Sequence, residues 1–170
     1  MSLIKKVTSL VTGEGGVGGP VGTIHVVDPS PLNWLYITYN TVEELVRVNT
    51  DGAIEPAAMK TYTWADDRTL EVTLREENRF PDGELLTAHT VKRSFDEMMK
   101  WKAPHPPGTF FNLDSRTTLE VVDDYKVRFR FPAPDGLALG KFRAMHIMNT
   151  RFWDTISFGY ERNKSGEGHW

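Results

Sequence analysis

From Tyr125 to Phe131 the chain changes character at every residue. Tyr125, Val127, Phe129 and Phe131 are apolar, and Lys126, Arg128 and Arg130 between them are basic. A strand sends successive side chains to opposite faces, so this stretch is a half-buried strand whose apolar side needs a covering layer. Asp123-Asp124 just before it has turn chemistry, and Leu119–Val122 supplies the other arm of a hairpin. The pattern recurs upstream. Leu70, Val72 and Leu74 alternate with Glu71, Thr73 and Arg75, and Tyr62 and Trp64 alternate with Thr61 and Thr63 across the turn Asp66-Asp67-Arg68. Two such hairpins constrain the chain to a mostly antiparallel sheet with one apolar face.

Helical spacing appears in two places. Tyr39, Val42, Leu45 and Val46 predict a helix over about Tyr39–Val48, ended by the turn Asn49-Thr-Asp-Gly52. Val91, Phe95, Met98 and Met99 share one stripe of a second helix, Thr87–Lys100, with Thr87 as N-cap. Leu137–Met145 is a short helix candidate, and Ile147–Phe152 is apolar without a clear period. The fold class is therefore α+β, a mostly antiparallel sheet with flanking helices. Gly13–Gly22 is a flexible connector by composition, and Thr23–Val27 a short strand after it. Three segments follow: residues 1–22 as a flexible N-terminal piece, 23–152 as the folded body, and 153–170 as a polar tail.

Few chemistries survive inspection. There is no Cys, which removes disulfides, thiolate zinc sites and thiol catalysis. A formal charge of −3 gives no broad field for nucleic acid. Lys126, Arg128 and Arg130 read as the solvated face of a sheet, because no aromatic residue interleaves with them as a stacking platform. The glycine run lacks the Lys-Ser/Thr and the preceding strand of a phosphate loop. His25 has no second ligand at metal spacing, and His89, His105, His146 and His169 are scattered. No Gly-x-Ser-x-Gly elbow exists, and the paired carboxylates sit in turns. The residues thus predict no enzyme, no cofactor and no metal site, but a binding or structural module. No stretch reaches the ~18 consecutive apolar residues of a membrane span, and Met1–Leu10 has no apolar core of a secretory leader.

The order of motifs is more telling than any one of them. Thr41-Val-Glu-Glu-Leu-Val-Arg47, Thr50-Asp-Gly52, Glu55-Pro-Ala57 and Tyr62-Thr-Trp-Ala-Asp-Asp67 come first. Leu70–Arg75, Phe80-Pro-Asp-Gly83, Leu86-Thr-Ala88, Val91-Lys-Arg-Ser-Phe95 and Val121–Phe129 follow. Over roughly residues 22–150 this series resembles the N-terminal part of the extracellular solute-binding proteins, family 5, of peptide and nickel ABC importers. Two departures stand out. Glu44 occupies a position where the family usually has Gly. His89 and Thr90 stand where it usually has acidic residues, which predicts a weaker helix start with Thr87 capping alone.

The resemblance implies part of the first lobe of a periplasmic-binding-protein type II-like fold. It implies a substrate-binding component that captures oligopeptides, dipeptides or a similar solute for ABC permease subunits, in the periplasm or outside the cell, with the leader outside this chain. It places ligand-lining residues at Asn33 and Trp34 and at Phe110 and Phe111. Family members are longer and close two lobes on the ligand, so the second lobe is expected outside this chain. Edges left bare at Thr23–Val27 and Ile147–Phe152 would then pair with another copy, giving a homo-oligomer. One alternative is a self-contained protein-interaction or structural domain with no transport role; a second is a hydrolase-like enzyme with a triad assembled in space.

Overall fold

The computed structural model describes residues 42–100 and 112–155. Two hairpins build its main sheet, as the alternation requires. Strand β1 (Val46–Val48) pairs with β2 (Ile54–Pro56) in a small separate ribbon; β3 (Met59–Asp66) then turns into β4 (Thr69–Leu74). Helix α1 (Ala88–Met99) connects this hairpin to the next, β5 (Thr118–Asp123) and β6 (Lys126–Arg130). The four strands lie in the order β3-β4-β6-β5, antiparallel throughout. The register is the one the pattern demands. Leu70 faces Phe129 and Val72 faces Val127 on the buried side, while Glu71 faces Arg128 on the other. The basic row on β6 is an ion-pair ladder: Arg128 meets Glu71 at 2.6 Å and Glu120 at 3.3 Å, and Arg130 meets Glu120 at 3.5 Å. It is the solvated face of the sheet.

The carboxylate pairs are turns, as their positions suggest. Asp66 Oδ1 accepts the Arg68 N–H at 2.8 Å, and Asp123 Oδ1 accepts the Tyr125 N–H at 2.8 Å. Asp82 does the same for Glu84 at 3.1 Å, and Gly83 beside it has φ of 92°, a left-handed conformation that glycine adopts without penalty.

One helix is not there. Over its described part, residues 42–48, the predicted first helix is absent: Val42 and Leu45 are bends, Glu43 bridges to Ile147, and Val46–Val48 is strand β1. Val42, Leu45 and Val46 are all buried, so the apolar spacing was real. The backbone decides otherwise: the Glu44 carbonyl accepts from Ala58 at 2.9 Å and the Leu45 carbonyl from Ala57 at 3.0 Å. Those acceptors serve the chain that follows β2 and not a helical turn. Asn49 closes the β1–β2 hairpin, its Oδ1 accepting from Asp51 and Ala53 at 3.0 and 2.9 Å.

α1 begins as predicted after Thr87, but its cap is not Thr87 alone. The Thr87 N–H donates to Thr90 Oγ1 at 2.9 Å, so Thr90 supplies the return bond an acidic residue usually makes at that place. The helix lies over β5 and β6. Phe95 meets Phe129 edge-on at 5.8 Å, and Phe129 lies 4.5 Å from Phe142. Phe142 opens a 3-10 turn, Phe142–Ala144, after the short helix α2 (Ala138–Lys141). The expected bare edge at Ile147–Phe152 is closed by its own chain. Ile147 is fully buried and exchanges backbone bonds with Glu43, its N–H donating at 2.8 Å. Residues 150–155 are helical and cross position 152, with Trp153 fully buried. Its Nε1–H donates to Ser94 Oγ at 2.9 Å, and the Met148 N–H donates to the same oxygen at 3.0 Å. Thr23–Val27 lies outside the described residues.

Candidate functional site

Asn33, Trp34, Phe110 and Phe111, the expected ligand-lining residues, lie outside the described residues. What the described chain brings together is a small charged cavity and, elsewhere, an apolar surface with shallow hollows.

The cavity has a volume of about 220 Å³ and is lined by Glu44, Arg47, Val48 and Arg143. Glu44 is held by the non-helical stretch that replaces the predicted helix, Arg47 and Val48 lie on β1, and Arg143 comes from the 3-10 turn after α2. Packing β1 against that turn therefore creates the cavity. Glu44 is only 2% exposed, and its Oε1 has no hydrogen-bond partner among the described residues. Burial pushes its carboxyl up to about 7, Arg47 and Arg143 pull it back, and Glu43 adds to the rise. Arg47 is anchored to Glu43 at 3.0 Å. A second buried titratable group lies close in sequence to Arg143: His146 is fully buried, and burial lowers it to about 4, so it is neutral at physiological pH.

The apolar surface carries Ile54, Trp64 and Leu137, the last 73% exposed. Trp64 is on the inner side of β3, opposite Leu70, but β3 is the end strand of the four-stranded order and the ring stays partly open, tilted against Phe131 at 5.7 Å. Two hollows meet at Gly136 and Leu139. One, of about 390 Å³, runs from Trp64 to Pro134, with Asp66 and Asp67 on its rim. The other, of about 570 Å³, has Ile54 and Leu137 in its wall. Such surfaces bury apolar side chains with little selectivity.

Sequence reading marked Glu44 only as a departure from a family pattern. Nothing in the sequence singles it out: Glu43 and Glu44 stand side by side between Val42 and Leu45, and nothing local says which of the two is buried. Arg143 carried no signal, since nothing local couples it to Glu44. Among the described residues no group of three His, Asp or Glu is placed to hold a metal ion, and no helix is long and apolar enough to cross a membrane.

Residues 53–168 match the family model for bacterial extracellular solute-binding proteins, family 5 middle region. The nickel-binding protein NikA of Staphylococcus aureus is 36% identical over 64 residues, which is 38% of this chain and 13% of that protein. Its crystal structure in complex with Ni(L-His)2 superposes with a TM-score of 0.56 and 25% identity, covering 65% of this chain and 23% of that one. Haemophilus influenzae OppA, in complex with RPPGFSPFR, superposes with a TM-score of 0.63 over 81% of this chain and 30% of its own, at 15% identity, and so speaks for the fold alone. The chain spans less than a third of the length of these relatives.

Proposed function

Given that the chain belongs to the bacterial extracellular solute-binding proteins of family 5, we propose that it forms part of the first lobe of the substrate-binding component of an ABC importer. The component captures a peptide or similar small solute outside the cytoplasm and hands it to the permease subunits. The family match over residues 53–168 carries this reading. The open apolar hollows beside Trp64 and Leu137 support it, since solute capture of broad range uses apolar walls with few polar groups. Asn33, Trp34, Phe110 and Phe111 are proposed as further ligand-facing residues.

Two-lobed binders bury ligand from both sides, so this chain alone holds peptides very weakly. Calorimetry with a mixed di- to pentapeptide library is expected to show no micromolar binding, and such binding would mean the second lobe is dispensable. The transport role is tested in cells. Uptake of a labelled peptide mixture is expected to fall when the gene carrying this chain is deleted and to return on complementation. Unchanged uptake of every peptide and small solute tried would favour an interaction domain instead.

A further inference from the structure

We propose that the cavity lined by Glu44, Arg47 and Arg143 binds a small zwitterion, an α-amino acid, whose ammonium sits on Glu44 and whose carboxylate sits on the guanidiniums. The assignment rests on the solute-capture reading and narrows it to a chemical class.

Three observations lead there. First, Glu44 is 98% removed from solvent by its 2% exposure, yet Oε1 has no donor among the described residues. A buried acceptor left unsatisfied is costly, and a carboxylate more so, which makes it a place where a donor belongs. Second, the same wall carries Arg47 and Arg143. The bond of Arg47 to Glu43 uses one of the five N–H donors of a guanidinium, a group whose planar fork suits a carboxylate. A simple anion would be attracted by the arginines and opposed by Glu44; a simple cation would meet the reverse. A molecule with both charges on one carbon satisfies both. Third, about 220 Å³ lies below the ~300–1,000 Å³ of pockets for drug-sized ligands, so the cavity takes one residue-sized molecule and not a whole oligopeptide.

Proton linkage gives the site a signature. The charged groups acting on Glu44 are Arg47 and Glu43 from its own stretch and Arg143 from the facing turn. An ammonium favours the ionised carboxyl, so binding releases the Glu44 proton. Affinity then rises about tenfold between pH 6 and pH 8, the change in the ionised fraction of a group that titrates at about 7.

The test is a titration of the chain followed by amide NMR shifts of residues 43–48 and 142–146. The probes are L-alanine, propionate, which lacks the ammonium, and ethylamine, which lacks the carboxylate. L-Alanine is expected to bind at least tenfold tighter than either at pH 8 and to weaken towards pH 6. Glu44→Gln, nearly the same shape, is expected to lose about tenfold for L-alanine at pH 8, to flatten its pH dependence and to strengthen propionate, which no longer meets the Glu44 charge. Urea unfolding of the variant establishes that it is folded. Propionate binding as tightly as L-alanine, and more tightly at low pH, would make this an anion site and overturn the proposal. Ethylamine binding as tightly as L-alanine would overturn it from the other side. So would the absence of any shift at about 50 mM probe, a concentration well above a ~1 mM dissociation constant of about −4 kcal/mol. A negative result here with peptide uptake still dependent on the gene would remove the zwitterion assignment and leave the transport role standing.

Discussion

Replacing Ser94 by Ala removes one oxygen and strands two donors. Ser94 is fully buried on α1. Its Oγ accepts from Trp153 Nε1 at 2.9 Å and from the Met148 backbone N–H at 3.0 Å, so it ties the helix to the segment that closes the core after the 3-10 turn. A buried donor left without an acceptor costs about 1–3 kcal/mol, so two cost about 2–6 kcal/mol. Alanine is the better helix former by about 0.5 kcal/mol, which offsets a little of this. The net expectation is a loss of about 2–5 kcal/mol, a large share of the ~5–15 kcal/mol by which a domain is usually stable. Urea unfolding followed by tryptophan fluorescence measures it. A domain of this size melts about 2–4 °C lower per kcal/mol lost, so the midpoint drops by at least about 4 °C. Ser94→Ala combined with Trp153→Phe isolates one of the two bonds. Because phenylalanine brings no donor, the double variant is expected to lose about 1 kcal/mol or more less than the sum of the singles. A loss below about 0.5 kcal/mol for Ser94→Ala, the size of an ordinary surface change, would refute the idea that this hydroxyl is the joint.

Three further outcomes are expected. Glu44 and His146 oppose each other in their effect on stability. The raised Glu44 carboxyl contributes below about 4.5 and loses that share as pH climbs through about 7, while the lowered His146 contributes above 6.5 and loses its share as pH falls towards about 4. Each is worth roughly 3 kcal/mol, so the protein is nearly flat from about pH 4.5 to 6.5, whereas Glu44→Gln becomes steadily less stable as pH falls through that window; urea midpoints at pH 5, 6 and 7 show it, and a flat variant would contradict it. Thr90→Ala removes the return bond to the Thr87 N–H and is expected to cost about 1 kcal/mol in chemical denaturation, with no change if the helix start is capped by other means. Arg128→Met on the solvated face is expected to cost under about 1 kcal/mol, a salt-sensitive loss read by comparing unfolding in low and high salt, because its partners Glu71 and Glu120 remain in contact with water.

The main sheet was legible because two independent signals coincide in it. Period two set the strands and faces, and Asp at Asp66 and Asp123 set the turns. Helix α1 was legible for the same reason, a 3.6-residue stripe beginning at Thr87. β1 was not. Val42, Leu45 and Val46 are spaced as a helix spaces them, and it is pairing with distant chain, namely Ala57, Ala58 and Met59, β2 and Ile147, that keeps the stretch from being a helix. The partner strand Ile54–Pro56 is exposed along its length and so had no alternation to show. The return bond of Thr90 was missed because a hydroxyl stood where a carboxylate is usual. The charged cavity was not visible: Glu44 stands beside a second carboxylate, Glu43, and Arg143 reaches it only through tertiary packing of β1 on the turn after α2.

The order β3-β4-β6-β5 has a consequence for how the molecule folds in time. Each hairpin closes over a turn of a few residues, but the central pair joins Thr73 to Lys126 and Thr69 to Arg130 across the whole helix and its loops. Closing a flexible segment of about 50 residues costs on the order of 3–4 kcal/mol of chain entropy before any central contact forms. The hairpins are thus microsecond events, and their docking sets the rate. α1 shortens that search, since the Ala88 N–H donates to the Asp124 carbonyl at 2.8 Å in the turn of the second hairpin and Leu74 at the end of the first donates to the Tyr125 carbonyl at 2.8 Å. These native bonds predict that the β5–β6 turn is the kinetic meeting point of the two hairpins and the helix, so that substitutions at Asp123–Tyr125 are expected to slow refolding more than substitutions at the far ends of the same strands, which stopped-flow φ-values check.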